Sequence, residues 1–260
     1  MKKILITVLT LTMIFTQIYH VKGLETIENS NINKAITNIN IEENKIYFES
    51  NNENYVYDLD KDTLSFDNTT VYFNTKVEYI NPDLKISVEK ALNLEKEMIK
   101  ENFKKIAEKN NRAVLLKSSL DPVVPSNAPY KVAVKFSKNI ASIKADFDKA
   151  VAQFVIGTGV LKGLAAIAKV TLKAKLAAVL GVTTTVAAAC QLEISGTWKY
   201  NLEMTKSMYP AGNTKQYCYR YAHSALVGKA SIKPGKTKIT KNFSFAQNGK
   251  GKWWVSQKPY

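Results

Sequence analysis

Hydrophobic and polar positions alternate with a period of two in two separate parts of the chain, one before residue 74 and one after residue 196. In the first part, short alternating runs between Ile46 and Phe73 are separated by turn formers such as Asp60-Lys61-Asp62. This pattern predicts a small antiparallel meander of three or four strands. In the second part, alternation from Trp198 onward predicts another antiparallel β module that closes at Trp253-Trp254.

A helical period separates these two parts. Ser87 precedes a stripe of apolar positions that runs from Val88 to Ile106, which predicts an amphipathic helix. From Ile140 to Leu192 the chain is rich in alanine and predicts further helices. The expected fold class is therefore α+β, with an N-terminal small antiparallel β meander plus helix, Ala-rich central helices and a C-terminal antiparallel β module.

Prolines and charge both mark a boundary near residue 121. Residues 121–130 contain three prolines, which favour an extended linker. Residues 24–120 hold 17 acidic and 13 basic residues, whereas residues 121–260 hold 5 acidic and 21 basic ones. The predicted division is a signal peptide (1–23), an acidic β-meander plus helix domain (24–120), a proline-rich linker (121–130), an Ala-rich apolar helical segment (131–195) and a basic, aromatic-rich β module (196–260).

The first 23 residues have the order of a secretory signal peptide. Lys2 and Lys3 precede an apolar run, and Val21 and Gly23 are small or short residues before a cleavage site at Leu24. An uncleaved anchor is the alternative, but a membrane span requires ~20 apolar residues and the apolar run in this chain is shorter. The sequence therefore predicts a secreted, extracellular protein.

Two cysteines, Cys190 and Cys218, occur in the whole chain. Export and an even count favour a disulfide between them. Two unrelated thiols, one of them buried in an apolar helix, are the alternative.

The sequence contains no motif of a known catalytic centre. HExxH, CxxC, Gly-x-Ser-x-Gly and a phosphate-binding loop are all missing, and His223 is the one histidine that follows the signal peptide. We therefore predict no catalytic residue, no cofactor and no metal site, and a protein that is not an enzyme.

The excess of bases in the second half predicts an anionic partner, although solubility alone is the simpler explanation. Outside a cell, phospholipid headgroups, wall polymers and the protein's own acidic N-terminal half are the candidates, and nucleic acid is not expected. Lys162, Lys169 and Lys173 share one face of a predicted helix whose other faces are apolar, which is the geometry of a helix at an anionic membrane interface. The alternative is that residues 150–192 form an ordinary buried core.

Aromatic residues and lysines are neighbours throughout the C-terminal module. Aromatic rings suit bilayer interfaces and sugar faces, and lysines suit phosphate. A strand with its aromatics in the core and its lysines in water gives the same pattern. Trp253 and Trp254 are adjacent, so one of the two rings should be partly exposed, and we predict a membrane or anionic-surface contact there.

The layout resembles that of the large, unmodified secreted bacteriocins of Gram-positive bacteria, in particular the geobacillin-type family. The shared features are the signal peptide, the Ala/Gly/Val-rich centre from Ala150 to Leu192 and the Lys- and aromatic-rich tail. The resemblance implies a cationic antibacterial toxin that acts on an anionic bacterial membrane, without a cofactor and with an immunity protein as a partner. A non-enzymatic protein that binds cell-wall or surface polymer is the alternative.

Overall fold

Antiparallel strands dominate the structure, a computed structural model that describes residues 36–50, 53–110, 122–159, 165–246 and 250–255. Nine strands form a single sheet in the order β1-β2-β3-β4-β5-β6-β7-β10-β11, and β8 and β9 form a separate hairpin. The strands are β1 (Thr37–Glu42), β2 (Lys45–Ser50), β3 (Glu53–Asp58), β4 (Thr63–Phe66), β5 (Thr69–Ile80), β6 (Tyr130–Asp146), β7 (Gln191–Thr205), β8 (Tyr209–Ala211), β9 (Thr214–Gln216), β10 (Tyr219–Ile232) and β11 (Ile239–Ala246).

The helices pack against one face of this sheet, which we call the inner face. They are α1 (Val88–Asn110), α2 (Phe147–Gly159), α3 (Ala165–Leu180) and α4 (Thr184–Ala188), with a 3-10 turn at Pro82–Leu84. Alternate residues of β7, from Leu192 to Met204, are buried beneath the helices. The opposite, outer face of the sheet carries no helix among the residues that the structure describes.

The prediction of an α+β fold is wrong, because the described chain is mostly β and is organised around one large antiparallel sheet. The meander predicted between Ile46 and Phe73 is present as β2 to β5, with β1 as an additional strand, and the predicted C-terminal strands are present as well. However, β5 continues to Ile80 and pairs with β6 from Phe73↔Ile140 to Ile80↔Val134. This pairing joins residues about 60 positions apart, and local periodicity contains no information about it.

The apolar centre is less helical than the sequence pattern predicts. Strand β6 continues to Asp146, and β7 begins at Gln191, so strands occupy both ends of the stretch that was expected to be helix. Burial alternates across the end of β6, where Ile143 is buried and Lys144 is exposed. A bulge between Ile140 and Ile143 shifts the register, and this interruption hides the period of two in the sequence.

The proline-rich segment is anchored to the chain that follows β7. Val123 donates its backbone N–H to Pro210, and Lys206 donates its backbone N–H to Pro129, at 2.9 Å in each case. Ala128 is buried. Strand β5, before the segment, pairs directly with strand β6, after it. The predicted division into separate domains stays a prediction.

Helices α2 and α3 cover the inner face of the sheet near β7, β10 and β11. Phe154 of α2 is fully buried and packs edge-on against Phe243, with ring centroids 6.2 Å apart. Gly228 of β10 lies so close to its neighbours that an added Cβ would be 2.3 Å from the backbone oxygen of Ser195. The lack of a side chain there lets β7, β10 and the Phe243 ring approach one another closely.

Candidate functional site

A cluster of buried polar side chains lies between α1 and the inner face of the sheet. We call it the Lys138 cluster, and it consists of Tyr57, Asp62, Glu95, Lys138 and Tyr200. The Nζ of Lys138 lies 3.0 Å from Oδ1 of Asp62 and 3.2 Å from Oε1 of Glu95, and it donates to the hydroxyl of Tyr57 at 2.5 Å. Tyr200 donates its hydroxyl to the same oxygen of Glu95 at 2.8 Å. Residues from β3, β6, β7, α1 and the β3–β4 turn thus meet at one ammonium group.

The charges in the Lys138 cluster stabilise one another. Burial opposes the charged form of Lys138, but the neighbouring Glu95 and Asp62 carboxylates raise its pKa well above the ordinary value. Burial also opposes ionisation of Asp62, yet Lys138 and the hydrogen bonds from Thr75 hold the pKa of that carboxyl below its usual range. Tyr57 and Tyr200 have raised pKa values, chiefly because they are buried.

This geometry is that of a structural cluster. The Lys138 side chain has no exposed surface, and its charge is already matched by two carboxylates. The cluster therefore joins the two halves of the sheet.

A second cluster lies on the outer face, where β6 and β10 begin and β7 ends. We call it the aromatic platform, and it consists of Tyr130, Arg220, Lys250 and Trp253. The guanidinium carbon of Arg220 lies 4.2 Å from the ring centroid of Trp253 and 4.7 Å from that of Tyr130. The two rings meet edge-on, with centroids 6.4 Å apart. Lys250 donates to the Tyr130 hydroxyl at 3.0 Å.

Arg220 positions the platform. Its Nε donates to Oε2 of Glu203 at 2.7 Å, and both side chains are largely buried. Arg220 is thus held from below by a carboxylate and covered from above by two rings, an arrangement in which cation–π contacts are strong. The exposed groups are the rings of Tyr130 and Trp253, which are partly exposed, and the ammonium of Lys250.

The two adjacent tryptophans point to opposite faces, which confirms that one of the rings is partly exposed. Trp254 is 5% exposed and packs on Tyr219, with ring centroids 5.4 Å apart. The backbones of Trp254 and Tyr219 exchange two hydrogen bonds of 2.8 Å. Residues 250–255 thereby extend along the edge of β10. Glycine is needed at position 251 for this close approach, because a Cβ there would clash with the Tyr221 ring.

Lysines extend across the rest of the outer face. Exposed lysines of strands β5 to β10 on this face are Lys76, Lys135, Lys144, Lys199 and Lys229. Exposed carboxylates of the same strands on this face are Glu78, Asp146 and Glu193; Glu78 pairs with Lys199 at 3.9 Å, and Glu193 with Lys238 at 3.4 Å. Serine, threonine and asparagine occupy most of the remaining positions, so the face is polar and carries an excess of positive charge.

A shallow groove of about 150 Å³ lies at the end of the outer face opposite to the aromatic platform. We call it the lysine groove, and its charged side chains are Lys144, Glu193, Lys233 and Lys238, with Ser231 beside them. Lys144 and Lys233 are exposed and have no ion pair with any residue that the structure describes. The groove therefore retains positive charge that its own carboxylate does not neutralise.

The predicted lysine face of the apolar centre is only partly described. Lys162 lies outside the described residues, and Lys169 lies within α3. Lys173 is part of α3 and forms an ion pair of 2.5 Å with Asp148 of α2. Leu172, Leu176 and Leu180 of the same helix are buried, so the described part of α3 contributes its apolar face to the core.

Both cysteines are free thiols, so the disulfide considered for Cys190 and Cys218 is not formed. Cys190 follows α4 and donates to the backbone oxygen of Val186, at 3.2 Å. Cys218 is fully buried just before β10, and burial raises the pKa of its thiol to about 11. The two residues thus occupy separate environments.

The described residues contain neither a candidate membrane span nor a candidate metal centre. No helix in the described part of the chain is both long enough and apolar enough to cross a membrane. Within the same residues, no group of three or more His, Cys, Asp and Glu side chains is placed to hold a metal ion. The predicted signal peptide, residues 1–23, lies outside the described ranges.

Comparison of the chain with protein families, with curated proteins and with solved structures gives no match. The resemblance to secreted bacteriocins therefore stays a hypothesis. The site must be interpreted from its own chemistry.

The sequence pattern identified Trp253 but not Tyr130, Arg220 or the Lys138 cluster. A signal for Lys138 exists, because Phe136, Lys138 and Ile140 occupy alternate positions of β6, and a lysine between two apolar positions faces the same side. No comparable signal brings Tyr130 to Arg220, which are 90 residues apart in the chain and meet through the pairing of β6 with β7 and of β7 with β10.

Proposed function

We propose that the protein is an exported, non-enzymatic binding protein that attaches to an anionic cell-wall or surface polymer through the outer face of its sheet. The observation that carries the proposal is the aromatic platform, where the partly exposed Trp253 and Tyr130 rings adjoin the ammonium of Lys250. An aromatic face can contact the apolar side of a sugar or polyol unit. An ammonium group beside it can contact a phosphate.

The charge of the chain supports the same function. The whole chain has a formal net charge of +15, and the excess is in the half that carries the platform. Positive charge on an open surface attracts a polyanion and accelerates its association. The lysines of the outer face lie on rigid strands, so a ligand that contacts them does not have to order a loop.

A direct binding measurement tests this function. Purified protein is titrated with poly(glycerol phosphate) and with neutral dextran in a calorimeter, with the heat of binding as the readout. We expect saturable binding to the phosphate polymer alone. Trp253→Ala should weaken that binding by about fivefold, because the contact of one aromatic ring contributes ~1 kcal/mol.

Lys90→Gln provides a matched control for a Lys250→Gln variant. Lys90 is exposed on α1, away from the outer face, and its substitution by glutamine removes the same charge as Lys250→Gln. Lys250→Gln should weaken binding, and Lys90→Gln should leave it unchanged. Equal effects of both substitutions, or equal affinity for dextran, would contradict the proposed site.

A membrane-active antibacterial protein is the second candidate. The observation that favours it is the pair α2 and α3, whose apolar residues cover one end of the inner face and which are joined to each other by the ion pair between Lys173 and Asp148. Release of these helices would expose a long apolar segment to a bilayer. Leakage of dye from vesicles of anionic phospholipid distinguishes the two functions. Leakage without polymer binding supports the second candidate, and polymer binding without leakage supports the first.

A further inference from the structure

The two ends of the outer face carry two separate cationic sites, and β10 runs from one to the other. Arg220, below the aromatic platform, stands near the start of β10, and Ser231, beside the lysine groove, stands near its end. Eleven residues of β structure separate them, which corresponds to about 35 Å. Since both sites lie on the outer face, a ligand can contact both without bending around an edge.

The outer face between the two sites carries polar side chains on β7 and the small apolar Ala225 and Val227 on β10. Thr197, Asn201 and Ser195 of β7 face outward there, and Lys199 and Lys229 add positive charge along the way. A compact anion could occupy only one end. A long chain with phosphates at regular intervals could contact both ends at once.

We infer that the ligand is an extended polyanion, a polyol-phosphate chain long enough to reach from the aromatic platform to the lysine groove. This inference rests on the proposed function and adds a second site and a minimum ligand length to it. Once one end of such a chain is bound, the other end is held at a high local concentration near the second site. Affinity should therefore increase sharply when the chain exceeds the distance between the sites.

The test compares poly(glycerol phosphate) chains of defined length, some shorter and some longer than about 35 Å, with the wild-type protein. Affinity, expressed per chain, should increase at least tenfold at the spanning length. A Lys144→Gln/Lys233→Gln double variant should lose about 25-fold in affinity for the long chain, at about fivefold for each lysine. Its affinity for short chains, which bind at the platform, should be unchanged.

The matched control is Lys45→Gln/Lys90→Gln, which removes two exposed lysines of the N-terminal part. Because the four lysines are all exposed, these substitutions should not affect folding, and far-ultraviolet circular dichroism checks this. The second site is overturned if both double variants weaken long-chain binding equally. It is also overturned if affinity increases smoothly with chain length and shows no step. Absence of binding at every length overturns the proposed function itself.

Discussion

At the residue scale, Lys138 joins the two halves of the fold. Its ammonium contacts Asp62 of the N-terminal meander and Glu95 of α1, and its own strand belongs to the C-terminal half. Removing one partner of a buried ion pair leaves an uncompensated charge, which commonly costs about 3 to 5 kcal/mol. The Lys138 cluster therefore makes the stability of each half depend on the other.

The lowered pKa of Asp62 predicts a loss of stability in acid. A carboxyl with a lower pKa in the folded state than in the unfolded state stabilises the fold above its unfolded pKa. That contribution disappears as the pH falls through the lowered folded pKa. The free energy of unfolding, measured with denaturant, should decrease from pH 5 downward, and Asp62→Asn should be less stable at pH 7 and show a smaller decrease.

Asp146→Asn is the control for this pH dependence. Asp146 is exposed at the end of β6 and has no ion pair with any described residue. Its substitution should change neither the stability at pH 7 nor the acid dependence measurably. A pH profile of Asp62→Asn that overlays that of the wild type would show that Lys138 does not depend on Asp62.

At the scale of elements, α2 has the character of a core helix. Ala150, Val151 and Phe154 are fully buried against the sheet, and Phe154 contacts Phe243 of β11. The absence of charges from residues 150–154 is explained by this burial. A membrane role would require these contacts to break first.

Phe154→Ala should therefore destabilise the protein by about 3 to 5 kcal/mol, as large-to-small substitutions of fully buried aromatic residues do. The free energy of unfolding in urea measures this loss. Val186→Ala, on the exposed side of α4, should cost no more than about 0.5 kcal/mol. A cost below about 1 kcal/mol for Phe154→Ala would mean that α2 is loosely docked, which would favour its release at a membrane.

At the scale of the whole molecule, the sheet connects an acidic half to a basic half. Strands β5 and β6 pair over seven positions, and the Lys138 cluster lies on the inner face beside this junction. Charges of opposite sign also meet across it, as with Lys149 and Glu53 at 2.7 Å. We expect the two halves to unfold together.

Two spectroscopic signals can test this cooperativity. All three tryptophans, Trp198, Trp253 and Trp254, follow residue 130, whereas α1, the longest of the described helices, precedes it. Tryptophan fluorescence and far-ultraviolet circular dichroism should therefore give coincident transitions in urea. Two separated transitions would instead support independent domains divided near residues 121–130.

The sequence by itself determined the local elements where a regular period was uninterrupted. The meander strands, the helix that follows Ser87 and the outward exposure of one ring at Trp253-Trp254 all depend on neighbours within a few residues, so their patterns could be read directly. The export signal and the charge boundary were equally local, and the function that they imply stays a proposal. Only the tertiary structure decided that β5 pairs with β6, that Lys138 is buried and that Tyr130 and Trp253 enclose Arg220. These features arise from contacts between residues far apart in the chain, and their energies depend on which strands become neighbours.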